Sequence, residues 1–291
     1  MRAWVKWVTH LWQVLRREAY PNLGTMGWKQ LADFTFMRFV MPLGWGAASR
    51  HRRLSCLPAL APLAYEGVMI LEAVESAQLS EIRAFLDEKT AHKHSDRPRC
   101  VAEWANLLIA RGQQRDMLCF STGDLSCPLA TLARSESFLG IACDFLGLPP
   151  DQVVVEAMVD LLLPVNVVNG AYDALRFHRD LDAYKFLKIF VYLDDCPKGE
   201  GHHEFLSTTH LHFPISLSMT RSRTVEEIKS EIPSATVVGL HGAAGFAFAE
   251  NTLGFHRATL PSSQARLMAT IVYTESRFRH LYPLHFHPFT R

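Results

Sequence analysis

The sequence predicts a mainly β fold with flanking helices, an α+β arrangement in which helices come first and a sandwich or barrel of strands follows. Three observations carry this. β-branched runs cluster from Val153 onward, in VVVEAMVDLLL, FLKIFVYLDD, TVVGLH, GFAFAE and RLMATIVYTES. Stretches with helical period crowd into the first half. Hydrophobic residues make up 48% of the 291 and charged residues 20%, which supplies a substantial core and excludes disorder of the whole chain.

Taken in order, residues 3–19 read as a helix. Trp4, Trp7, Val8, Leu11, Trp12 and Leu15 recur at three- and four-residue steps, with Lys6, Arg16 and Arg17 largely off that stripe. A second apolar stretch, LADFTFMRFVMPLGWG, is interrupted by Asp33 and Arg38 and broken by Pro42. Neither reaches the roughly 18 to 20 clean apolar residues of a membrane span. Through residue 54 there are nine Lys/Arg against Glu18 and Asp33, a net of +7, while the remainder carries 21 basic and 27 acidic residues, a net of −6. Five of the six tryptophans, at 4, 7, 12, 28 and 45, lie in this segment. Two readings follow: the helices pack on the main domain with their charges solvated, or they lie in a membrane interface as a basic amphipathic surface. The chain accordingly divides into a basic, Trp-rich helical segment, 1–54, and a main domain, 55–291.

In YEGVMILEAVESAQLSEIRAFLDEK a strand over 68–71 precedes a helix, with Ser76 placed to cap it and Leu79, Ile82, Phe85 and Leu86 on one face. Residues 101–112 and 128–146 read as helical, the latter stopped by LGLPP, and TVEEIKSEI reads as a short helix inside an insert between the later strands. Cys56, Cys100, Cys119, Cys127, Cys143 and Cys196 form no CxxC pair, so reduced thiols in a cytoplasmic protein are expected. No secretory leader is evident. The sequence contains no GxSxG elbow, no GxxxxGK[ST] and no GxGxxG, which disfavours serine hydrolases and nucleotide enzymes. The basic N-terminal residues accompany tryptophans and fit no recognisable nucleic-acid module.

The chemistry concentrates in RFHRDLD, residues 176–182. On an extended strand His178 and Asp180 project from one face, with Asp182 as an alternative carboxylate. Two histidines and one carboxylate leave open positions on a metal, the arrangement of non-heme Fe(II) oxygenases. A second histidine must therefore come from elsewhere. His202, His203, His210 and His212 lie in a Gly/Ser/Thr-rich stretch that reads as loop, and His241 precedes the turn GAAG. His256 follows the strand GFAFAE and the turn NTLG, 76 positions beyond Asp180, and Arg266 lies ten further on. Arg266 shares a strand face with Met268, Thr270 and Val272, and its guanidinium fork suits a carboxylate. Arg176 and Arg179 are either solvated or contact an anionic substrate. His285 and His287 form an HxH pair without a nearby carboxylate and read as surface residues.

From about residue 65 to 275 the chain resembles the phytanoyl-CoA dioxygenase-like branch of the Fe(II)/2-oxoglutarate oxygenases. EGVMILEAVESAQLSEIRAFL is similar to that family's opening strand and helix, and RFHRDLDAYKFLKIFVYLDD to its metal strand and the next one. GEGHHEFLSTTH resembles the following loop, and GAAGFAFAENTLGFHRATLPSSQARLMATIVYT the closing strands. The resemblance implies a double-stranded β-helix of the jelly-roll or cupin-like kind. It implies Fe(II) on His178, Asp180 and His256, with 2-oxoglutarate as co-substrate anchored by Arg266. O2 is consumed, 2-oxoglutarate is decarboxylated to succinate and CO2, and a C–H of a small molecule, with lipid-linked and glycan substrates among the candidates, is hydroxylated. Asp180 matters here, since related halogenases have a small residue in its place. Two departures stand out: Ser207, Thr208 and Thr209 precede His210 where the family has proline, glycine and serine, and an insert falls around 211–235. The competing expectation is a non-catalytic or zinc-binding β-barrel with a regulatory role at the membrane surface.

Overall fold

The computed structural model describes residues 54, 56–89, 101–120, 127–164, 176–180, 185–212, 214, 217 and 222–275. The helical readings over 3–19 and 31–46, and Asp182, His285 and His287, lie outside the described residues.

Eleven strands, numbered in chain order, form two antiparallel sheets among the described residues. β1 (Val68–Ile70), β2 (Arg115–Phe120), β3 (Val153–Leu162), β5 (Phe186–Tyr192), β9 (Ala247–Glu250) and β11 (Arg266–Glu275) make the larger, in the order β1-β9-β5-β11-β3-β2. β4 (Phe177–His178), β6 (His203–Leu206), β7 (Ser222–Arg223), β8 (Val237–Leu240) and β10 (His256–Ala258) make the smaller, in the order β7-β4-β10-β6-β8. The longest pairing is β11 on β3, running from Arg266 opposite Leu162 to Glu275 opposite Val153.

The central strands of the larger sheet are apolar on both faces because both are covered. Leu187, Ile189, Val191, Leu267, Ala269, Ile271 and Tyr273 face outward into a core shared with helices. These helices are α1 (Ala61–Tyr65), α2 (Ser76–Lys89), α3 (Val101–Ala110), α4 (Pro128–Ala133) and α5 (Glu136–Leu146). They contribute Leu63, Ile82, Trp104, Leu129, Phe138 and Phe145 to that core. Where one helix is expected over 128–146 there are two, because Ser135 breaks the run and caps α5 by accepting from Phe138 N. Gly147, left-handed at φ 66°, ends α5. Ser76 is not the cap but the first residue of its helix, and the carbonyl before it, on Glu75, already accepts from Leu79 N.

Alternate residues of the same strands point inward and meet the smaller sheet. Val68, Phe190, Tyr192, Phe248 and Met268 from the larger sheet pack with Phe205 and Leu240 from the smaller. Tyr192 ties the two together: its hydroxyl donates to Leu240 O (2.6 Å) and accepts from His203 N (2.8 Å). This is the closed sandwich expected from the sequence.

The expected insert forms β7 and the helix α6 (Val225–Glu231), with Thr224 and Glu227 in a reciprocal capping box. Ile228 and Ile232 bury Phe177, Leu206 and Phe255 on the outer side of the smaller sheet. The strands that carry His178 and His256 are therefore backed by a core of their own.

Candidate metal centre and carboxylate pocket

Antiparallel pairing of β4 and β10 sets His178 directly opposite His256, with ring centroids 4.4 Å apart. The strand stops at His178, so Asp180 reaches the same face from a loop. Its N–H donates to Thr252 O at 2.9 Å, and Lys188 Nζ holds its Oδ2 at 2.7 Å. Asp180 Oδ1 lies 3.9 Å from His178 Nε2, and Oδ2 lies 3.1 Å from His256 Nε2. One ligand atom from each of the three lies within 4.8 Å of the others, and among the described residues no other such group of His, Cys, Asp and Glu occurs. Separations of this size suit a cation at about 2 Å from each atom.

Both histidines are oriented the same way. His178 Nδ1 lies 3.0 Å from Arg176 O and His256 Nδ1 lies 3.1 Å from Gly254 O. A carbonyl only accepts, so Nδ1 carries a proton in both rings and Nε2 faces the gap beside Asp180. Burial, then the His256 ring, pushes the His178 pKa down to about 3, which keeps it neutral and available as a ligand. Burial opposes ionisation of Asp180, but Lys188 and the two histidines outweigh it and hold its carboxyl well below the usual range. For His256 burial is likewise outweighed, here chiefly by Asp180, and its pKa is raised.

Behind His256 the stretch read as loop turns out to be strand β6, and His203 points into the barrel. Its ring stacks on that of His256 at 5.4 Å and packs beside the rings of Phe190 and Phe248. Its Nε2 is 2.8 Å from Glu250 Oε2, and Glu250 Oε1 is 3.6 Å from His256 Nδ1.

Arg266 is inward-facing as its strand pattern predicts, and it is 2% exposed. Nη1 donates to Gly201 O at 3.0 Å and Nη2 to Asp160 Oδ2, while Asp160 Oδ1 accepts from Arg115 Nε. Gly201 is required there: at φ 78° a Cβ would come within 2.8 Å of the Pro261 ring and 3.2 Å of Arg266 Cβ. Arg266 Nε is buried and has no hydrogen-bond partner among the protein atoms. An unspent, desolvated guanidinium donor costs free energy unless an acceptor meets it, so the pocket fits an added carboxylate.

The remaining candidates have structural roles. His202 accepts from Gly199 N (3.1 Å) and lies 2.9 Å from Thr259 Oγ1; His210 is buried with Nε2 3.1 Å from Ala64 O. Arg179 donates to Thr209 O (2.8 Å) and His212 O (2.5 Å) and lies over the Phe255 ring, so it anchors the chain after β6. Lys188, Asp160, Arg115 and Glu250 escape sequence reading, and His203 is read only as a loop histidine. For Lys188 and Asp160 the local signal is a charge placed inside an otherwise apolar strand, in FLKIFVYL and VVVEAMVDLLL.

No family model matches the sequence, and no curated protein matches it. Solved structures do. The epimerase SnoN in complex with Fe3+, alpha ketoglutarate and nogalamycin RO matches at 19% identity and TM-score 0.54, over 78% of this chain and 84% of SnoN. The alpha ketoglutarate dependent carbocyclase SnoK from nogalamycin biosynthesis matches at 16% and 0.52, over 75% and 83%. EctD from S. alaskensis with bound Fe matches at 14% and 0.55, over 74% and 75%. The chain has the double-stranded β-helix fold of these non-heme, 2-oxoglutarate-dependent enzymes.

Proposed function

We propose that the protein is an Fe(II)- and 2-oxoglutarate-dependent oxygenase that hydroxylates a C–H of a small-molecule substrate. One observation carries this: two histidine Nε2 atoms and one carboxylate converge inside the barrel that also buries an arginine with an unspent donor. His178, Asp180 and His256 would hold Fe(II), and Arg266 the distal carboxylate of 2-oxoglutarate. Together with O2, these groups would supply the oxidant for C–H hydroxylation: one oxygen atom enters the substrate as hydroxyl and the other enters succinate, with CO2 released.

The chain's own side chains prepare that chemistry. Carbonyls 176 and 254 fix the tautomers of the two histidines. Lys188 holds Asp180 by one oxygen and leaves the other free of that contact. Phe190, Phe248 and Met268 pack behind the site and keep water from that side of it. Because a carboxylate occupies position 180, where related halogenases have a small residue, hydroxylation is favoured over halogenation.

Anaerobic addition of Fe(II) and then 2-oxoglutarate is expected to produce the weak visible charge-transfer absorption of a chelated keto acid. Folded protein that binds Zn(II) or Fe(II) but shows no such band, and forms no succinate in air, would instead be a metal-binding barrel without turnover.

The finer reading concerns substrate and location. The +7 charge and five tryptophans of residues 1–54 support work at the cytoplasmic face of an anionic membrane, on a lipid-linked or glycan substrate. Among the described residues no helix is long and apolar enough to cross a membrane. Flotation with anionic vesicles is expected to recover the full chain and to lose a form lacking residues 1–54; equal recovery of both in the soluble fraction counts against it.

A further inference from the structure

We propose that Asp160 is the positioning residue of the co-substrate pocket: it holds Arg266 so that unspent N–H donors meet the distal carboxylate of 2-oxoglutarate. This rests on the reading of the protein as a 2-oxoglutarate-dependent enzyme.

Strand register builds the arrangement. Arg115 on β2 and Arg266 on β11 both lie opposite Leu162 of β3, one from each side, and Asp160 lies two residues along that central strand on the same face. Its carboxylate is fully buried and both of its oxygens are used, Oδ1 by Arg115 Nε and Oδ2 by Arg266 Nη2. A buried carboxylate is tolerated when both oxygens are matched in this way.

The donors on Arg266 do not balance. A guanidinium has five N–H groups in a fixed plane. Asp160 and Gly201 O engage Nη2 and Nη1, which pins the plane at two corners, and Nε remains buried without an acceptor. Arg266 is 2% exposed, so solvent does not supply that acceptor. A carboxylate is the planar, two-oxygen acceptor that a guanidinium edge fits. Without Asp160, Arg266 keeps its charge but loses one of its two fixed corners.

The test separates Asp160 from the fold by comparing two keto acids on Fe(II)-loaded protein under anaerobic conditions. One is 2-oxoglutarate; the other is 2-oxopentanoate, in which a methyl replaces the distal carboxylate. Wild-type protein is expected to favour 2-oxoglutarate. Asp160→Asn is expected to weaken 2-oxoglutarate by about tenfold or more. Its affinities for 2-oxopentanoate and for Fe(II) should stay within about threefold, so the preference collapses. An unchanged or larger preference, or parallel loss of both acids with Fe(II) still bound, overturns the proposal. Should Asp160→Asn not fold, Arg115→Gln, at the sheet edge, releases the other carboxylate oxygen and must also lower the preference; an unchanged preference there overturns the proposal. If Fe(II)-loaded wild type binds neither keto acid, the underlying reading fails and takes the inference with it.

Discussion

His178 and His256 each spend Nδ1 on a carbonyl two residues earlier, at 3.0 and 3.1 Å, so their orientation depends on backbone and not on a further side chain. Asp180, by contrast, is held by a side chain, Lys188. Removing any one of the three proposed ligands, as in His178→Ala, Asp180→Asn or His256→Ala, is expected to weaken Fe(II) at least about 100-fold, the upper end of what loss of an outer partner costs. Anaerobic Fe(II) titration reads this, and a variant within threefold of wild type would remove that residue from the ligand set. Arg179 makes its contribution through charge-assisted bonds to Thr209 O and His212 O. Arg179→Gln is expected to destabilise by about 1.5 to 3 kcal/mol in urea unfolding, whereas a substrate-binding role would leave stability unchanged and raise KM. Glu204 gives a pH signature. The bond to His202, and then Arg257 at 2.7 Å, hold its carboxyl at about 2 against an ordinary 4.5. Because the folded value is depressed, its contribution is complete above 4.5 and is lost as pH falls toward 2. The urea midpoint should therefore fall across that window, and less steeply in Glu204→Gln; identical slopes would contradict the assignment.

At the scale of elements, the smaller sheet is made of strands of two to four residues, yet it carries both histidines of the proposed metal site. Such short strands depend on packing against other elements, and Ile228 of α6 shares an apolar cluster with Phe177 of β4. Thr224→Ala opens the capping box of α6 and is expected to cost about 0.5 to 2 kcal/mol. Hydrogen exchange should show the loss over 222–232 first, and protection unchanged there would contradict the role. The length of these strands also decides what the sequence could show. β3, β5 and β11 are seven to ten residues long with inward and outward faces, so Arg266 and its neighbours are legible from alternation. β4, β7 and β10 are shorter than one period of evidence, and β2 is partly exposed throughout without alternation. β6 hides in a Gly/Ser/Thr-rich stretch, which is why His203 reads as a loop residue although it stacks on His256. The residues of the proposed metal site survive this because HxD, the distant histidine and the arginine carry their own spacing. Asp160 and Arg115 do not, since the link between them is strand order, β11-β3-β2, which no local pattern records.

At the scale of the whole molecule, among the described residues, the division of labour is between a helix-covered sheet that supplies rigidity and the smaller sheet that supplies the face of the proposed metal site. Tyr192 joins the two by its bonds to His203 N and Leu240 O. Tyr192→Phe removes both while keeping the ring, and is expected to cost about 1 to 3 kcal/mol, because the two groups it satisfies remain buried; thermal unfolding reads it, and an unshifted midpoint would contradict the linkage. The central claim is that the barrel holds iron and a keto diacid together for oxidation. Succinate release in air from Fe(II)-loaded protein and 2-oxoglutarate, measured across a panel of candidate substrates and in His256→Ala alongside, tests it most directly. The account predicts succinate from the wild type, stimulated by at least one substrate class, and none above background from His256→Ala. Absence of succinate from folded, iron-loaded wild type, or equal release from both proteins, would contradict it.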